Sequence, residues 1–141
     1  DVLVVRVHQL VPKQVWSRRY DQIKAFEQHL ANEGTTILKF FLYIDKDEQR
    51  ERFQARLDDP EKRWKFRLGD LEERTHWDEY IAAYEDVLER CSTDDAPWYV
   101  IPANRKWFRN LAVADILGDT LEDMDPRYPE PEENLAGVVV E

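Results

Sequence analysis

Cysteine is almost absent from this sequence: Cys91 is the only one in 141 residues, so no internal disulfide can form. A lone cysteine favours a reducing, cytoplasmic setting. No stretch approaches the roughly 20 apolar residues that a membrane span needs, and none at the N-terminus resembles a signal sequence. A membrane role is therefore not expected. The four glycines are Gly34, Gly69, Gly118 and Gly137, and none belongs to a G-x-x-x-x-G-K phosphate loop. The chain begins at Asp1 rather than Met, which leads us to expect a fragment.

Hydrophobic residues make up 43% of the chain, enough for a packed core, and charged residues reach 35% at a mean hydropathy of −0.71, the profile of a soluble domain. The length suits one domain. The net charge of −10 is uneven. From Asp119 to Glu141 there are eight acids and one Arg, a net of −7, so residues 1–118 carry the remaining −3. That balance argues against general nucleic-acid binding. It leaves room for a polyanion ligand, because a local cluster sets the field within a Debye length of about 8–10 Å. Lys62, Arg63, Lys65 and Arg67 form such a cluster.

Periodicity divides the chain into alternating elements. Val2 to Val7 is β-branched and aliphatic, a strand by propensity. After Pro12, the spacing of Val15, Trp16, Arg19, Ile23, Phe26 and Leu30 predicts one helix that stops at Gly34. The nearly continuous apolar run from Thr35 to Ile44 predicts a central parallel strand covered on both faces. Asp45 and Glu48 are spaced as a capping box for a helix that runs through Phe53 to Leu57 and ends at Asp58-Asp59-Pro60. Asp70 is placed to cap a long helix carrying Trp77, Tyr80, Ile81, Tyr84 and Leu88. Trp98 to Ile101 reads as a short strand, and Asn104 can cap a last helix with Trp107, Phe108, Leu111, Ile116 and Leu117 available for burial. Strands alternating with helices give an α/β fold with a parallel sheet. Two strands are few for such a sheet.

The densest chemical signal lies between Asp58 and Tyr84, where Lys62, Arg63, Lys65 and Arg67 interleave with Trp64 and Phe66, and Arg74 and Trp77 follow. Phosphoryl transfer needs fixed positive charge around the transferred group. Arginine supplies it as a bidentate fork and lysine as a movable point charge. The competing reading is a solvated helix face whose aromatics pack inward. His8, His29 and His76 show no metal-ligand spacing with the cysteine and read as surface or packing residues.

Asp59-Pro60, Trp64-Lys65-Phe66, Asp70, Arg74, Trp77, Tyr80, Ala96-Pro97-Trp98 and Asn104-Arg105-Lys106 together resemble the polyphosphate kinase 2 family. The resemblance is nearest to its AMP/ADP-phosphorylating branch and covers nearly the whole chain. It implies a partial P-loop kinase-like, three-layer fold with parallel strands and a helical lid at about 58–90. Residues 1–124 would be the C-terminal half of that domain and 125–141 an acidic extended tail. The Walker A and Walker B motifs would precede Asp1, and Asp1 to Gln9 would be helical despite its β propensity. The implied reaction moves a terminal phosphoryl group between inorganic polyphosphate and AMP or ADP with Mg²⁺, whose ligands would lie outside this chain. The implied assembly is a homo-oligomer.

Residue by residue, the resemblance assigns Lys65 and Arg74 to catalysis. It gives Arg6, Lys62, Arg63, Arg67 and Lys106 to substrate phosphates, and leaves Trp64 and Phe66 as nucleotide-stacking candidates. Asp70 matches a lid acid or is simply a helix cap. The alternative for Arg74 is an intrahelical pair with Glu73 or Asp78, and for Arg6 a surface charge. Relatives often carry an acid where this chain has Asn104 or Arg105, so that position is not assigned to catalysis. On its own the chain should be inactive. Its open sheet edge and exposed apolar surface favour self-association. Two other classes fit the residues less fully: an ATP-dependent nucleoside monophosphate kinase relative, and a non-catalytic polyanion-binding module.

Overall fold

The computed structural model describes residues 1–130, so most of the expected acidic tail, from 131 on, lies outside the described residues. The elements are α1 (Val4–Val7), α2 (Lys13–Trp16), α3 (Arg19–Asn32), β1 (Lys39–Tyr43), α4 (Lys46–Asp58), a 3₁₀ turn (Arg63–Lys65), α5 (Gly69–Thr75), α6 (Trp77–Arg90), β2 (Trp98–Pro102) and α7 (Lys106–Met124). The two strands pair in parallel, with Lys39 opposite Trp98 and Tyr43 opposite Pro102.

Val4–Val7 is helical, as the family resemblance implied and against the propensity of its valines. Packing decides the matter. Val2 is 4% exposed and shares a core with Tyr20, Val87 and Cys91, flanked by Leu3, Trp16, Ile23 and Trp98. The Arg6 guanidinium, on the same short helix, pairs with Asp86 on α6. Burial of one valine and one ion pair thus fix a turn that the local sequence would extend.

Five local expectations change. The helix expected to run from Pro12 is two helices, interrupted at Ser17 and Arg18. The long helix from Asp70 is also two, α5 and α6, parted at His76. Asp70 is not its N-cap: Leu68 holds that position, and the Asp70 carboxylate accepts from the Arg67 N–H. Asn104 does not cap α7; Arg105 precedes that helix, and the Asn104 side chain is spent on Asp45. The Asp45–Glu48 box is half formed. Asp45 accepts from the Glu48 N–H at 2.7 Å, while the Glu48 carboxylate turns forward to Arg52.

Gly34 does end α3. Its φ of +85° lies in the left-handed region. The Gly34 N–H bonds the Ala31 carbonyl and the Thr35 N–H reaches back to the Leu30 carbonyl, satisfying the final turn. Lys39, at the start of β1, binds Glu27 and the Cys91 carbonyl at 2.6 Å each, tying α3 and the end of α6 to the sheet.

The sheet is not covered on both faces among the described residues. Leu42 is 45% and Val100 55% exposed. Along α7, Trp107, Leu111 and Leu121 are also exposed. No described helix is long and apolar enough to cross a membrane.

Candidate phosphate-facing site

A cleft of about 400 Å³ opens at the C-terminal end of β1. Phe41 to Ile44 form its floor, Gln49 and Phe53 of α4 one wall, and α5 and α6 the other, with Asp70, Glu73, Arg74, Trp77 and Tyr80. Sites in parallel α/β sheets gather where the strands end, because the loops there converge while the rest of the sheet is packed.

Arg74 is the cation of this cleft. Its Nη1 donates to the Lys46 carbonyl at 2.8 Å and to Gln49 Oε1 at 2.7 Å, and its guanidinium lies 5.9 Å from the Trp77 ring centre. It makes neither of the expected pairs with Glu73 or Asp78. Both bonds use one nitrogen, and among the described residues Nε and Nη2 make no hydrogen bond.

The remaining expected cations occupy other places. Lys62 pairs with Asp59, and the Arg63 Nε donates to the Leu57 carbonyl. Lys65 lies 5.1 Å over the ring of Trp64, which is 77% exposed. Arg67 is exposed on the same connection between α4 and α5. These four border the cleft in sequence but do not line it. Phe66 packs against Phe53 of α4 in a T-shaped pair, 5.6 Å between ring centres. Lys106 is the exposed first residue of α7, beside a second hollow lined by Tyr43, Arg105, Trp107 and Phe108. Arg6 is drawn away altogether: its guanidinium binds Asp86, sits 3.4 Å from the Tyr20 hydroxyl and covers the Trp16 ring at 5.1 Å.

Sequence reasoning missed two networks. In the first, Glu73 gathers groups from three places: His8 Nε2 at 3.0 Å and the Tyr80 hydroxyl at 2.9 Å, with His76 against His8 at 5.2 Å between ring centres. The His8 bond, then the Tyr80 bond, hold the Glu73 carboxyl below the usual carboxylate range. Burial first, and Glu73 second, push the Tyr80 phenol up to about 12. In the second network Arg52 spans from Glu48 (2.7 Å) to the carbonyls of Ala103 (2.7 Å) and Asn104 (3.2 Å). The i,i+4 spacing of Glu48 and Arg52 was visible in the sequence; the link across some fifty residues was not.

The Tyr80 shift has a testable sign. The folded chain holds this proton more tightly than the unfolded chain does. The stabilisation is complete below about pH 10 and is lost as pH rises toward about 12. Urea midpoints of the native chain should therefore fall more steeply over that window than those of Tyr80→Phe. Parallel curves for the two proteins would remove Tyr80 from the alkaline transition.

Among the described residues no group of three or more His, Cys, Asp or Glu side chains is placed to hold a metal ion. The described residues do not fit a Mg²⁺ site. Burial pushes the Cys91 thiol up, away from the thiolate form that a nucleophile needs.

Comparison with known proteins identifies the family. The family model described as Polyphosphate kinase 2 matches residues 1–129. The AMP/ADP-polyphosphate phosphotransferase of Meiothermus ruber is 61% identical over all 141 residues, which cover 53% of that protein. The ADP-polyphosphate phosphotransferase of Rhodopseudomonas palustris is 47% identical over 92% of this chain and 49% of its own. The crystal structure of polyphosphate kinase 2 from Arthrobacter aurescens TC1 superposes with a TM-score of 0.91 at 46% identity, over 96% of this chain and 48% of that one. The chain thus spans about half the length of these relatives. With a P-loop kinase-like fold shared with solved members and a family match over nearly its whole length, the chain belongs to the polyphosphate kinase 2 family.

Proposed function

We propose that this chain forms the cationic, substrate-facing part of a polyphosphate:nucleotide phosphotransferase, which moves a terminal phosphoryl group between polyphosphate and AMP or ADP. The observation that carries the reading is Arg74, fixed at the mouth of a cleft where β1 ends with two nitrogens still free. The 61% identity to an AMP/ADP-polyphosphate phosphotransferase supplies the substrate class.

Transfer is direct and in line, with no covalent enzyme intermediate. The transferred group spreads negative charge over its oxygens, so positioning and fixed cations do most of the catalysis. Arg74 offers a rigid fork from the cleft wall. Lys65, Lys62, Arg63 and Arg67 lie on the exposed connection between α4 and α5, where they can swing onto a phosphate chain. Closure of the α4–α5 connection, within the lid expected at about 58–90, brings them down and expels water, which strengthens every charge contact inside. Trp64, largely in solvent, is the more accessible of the two stacking candidates, Trp64 and Phe66. Lys106 continues the basic path at the start of α7. Mg²⁺ would offset phosphate charge when bound, from ligands outside these 141 residues. A homo-oligomer in the cytoplasm completes the reading.

The test compares donors in the complete gene product. With Mg²⁺ and AMP or ADP, polyphosphate should yield the next higher phosphate of the nucleotide, resolved by chromatography. Transfer from ATP alone would place the protein with nucleoside monophosphate kinases. Polyphosphate binding without transfer would make it a polyanion-binding module.

A further inference from the structure

The first turn of α4 is gripped from two sides. From the β2–α7 turn, Asn104 and Asp45 exchange two hydrogen bonds: the Asn104 amide donates to Asp45 Oδ2 at 2.6 Å, and the Asp45 N–H donates to Asn104 Oδ1 at 3.1 Å. Arg52, one turn along α4, donates to the Ala103 and Asn104 carbonyls of the same turn and is locked by Glu48. From the opposite side, Arg74 of α5 donates to the Lys46 carbonyl and to Gln49 Oε1. Lys46 and Gln49 belong to the turn that Asp45 caps, and the Gln49 N–H bonds the Asp45 carbonyl. Lys106 stands two residues beyond Asn104.

We infer that Asp45, Asn104 and Arg52 are positioning residues: they clamp the α4 turn from which Arg74 hangs to the turn that presents Lys106, and so fix the distance between two phosphate-binding cations. The inference rests on the proposed function. It also gives a task to the Asn104 position, which capping does not explain. A side-chain amide facing a carboxylate is directional. The amide must donate and the carboxylate accept, so the pair works in either order but not with two acids. None of the three residues needs to touch substrate.

The test is a reversal of the pair. Asn104→Asp sets two carboxylates face to face and should lower kcat roughly tenfold, with the KM for polyphosphate within about twofold. Asp45→Asn combined with Asn104→Asp restores one amide and one acid, and Asn still caps α4. It should return kcat to within about twofold of the native value. In an Arg74→Ala background, Asn104→Asp should change kcat by less than about twofold, because the two act through one another. Activities are taken per folded molecule, with Tm measured in parallel. An Asn104→Asp protein that loses Tm but keeps its kcat would reduce the clamp to a stability element and overturn the inference. So would a full additive loss in the Arg74→Ala background. Those results leave the proposed function standing as long as Arg74→Ala alone slows transfer. If Arg74→Ala has no effect, the site reading and the clamp both fall.

Discussion

Arg74→Ala should lower kcat for polyphosphate-dependent transfer in the complete gene product by more than about tenfold, and the loss of one fixed donor to a developing charge can reach on the order of 10²–10³. The same threshold applies to Lys65→Ala. Arg74 also holds α5 to α4 through Lys46 and Gln49, so a loss on truncation could come from a loosened wall. Arg74→Lys separates the causes. Lysine keeps the charge but cannot bridge Lys46 and Gln49 while also presenting a two-pronged face to a phosphate. A charge-only role predicts near-native turnover for Arg74→Lys; a two-pronged guanidinium contact predicts that most of the loss persists. Native kcat and KM in both Arg74→Ala and Lys65→Ala would end their assignment.

The largest stability effect is expected at Tyr20. Its side chain is fully buried, with the Trp16 ring edge-on at 6.2 Å, the Arg90 guanidinium 4.0 Å over its face and Arg6 at its hydroxyl. Truncation to Ala removes a large aromatic from a small core and strands the cations that lean on it. Aromatic-to-Ala changes in cores cost about 3–5 kcal/mol. A domain of this size has about 5–15 kcal/mol in total, and Tm should drop by roughly 10 °C or more. Tyr20→Phe keeps the ring and loses one long hydrogen bond, so about 1 kcal/mol is expected. Thermal unfolding of the two variants checks this, and a Tyr20→Ala protein melting within a few degrees of native would show that the core lies elsewhere.

Much of the architecture was legible. Strand positions, the Gly34 stop and the Asp45 cap follow from local chemistry: apolar runs, one residue free of a Cβ, one acid before a helix. What the sequence concealed was set by distant partners. Val4–Val7 is helical because Val2 and Arg6 find Tyr20 and Asp86. Asn104 leaves its helix end because Asp45 is a better partner. Trp64 and Phe66, adjacent in one basic string, look alike on paper, yet only Phe66 meets a ring on α4. Among the expected cations, Arg74 reached the cleft, whereas Arg6 was claimed by a nearby acid. Charge density identifies a cationic region; which guanidinium stays free depends on where the acids fall in space.

The parallel pairing of β1 with β2 also constrains how the chain acquires its shape. Lys39 and Trp98 are separated by roughly 60 residues, and closing a flexible loop of that length costs about 3–4 kcal/mol of entropy before any strand contact repays it. During synthesis at about 5–20 residues per second, β1 waits roughly 3–12 seconds for its mate to be made. Through that interval the aromatic-rich run from Lys39 to Tyr43 lacks β2 as a neighbour and exposes that edge to other chains.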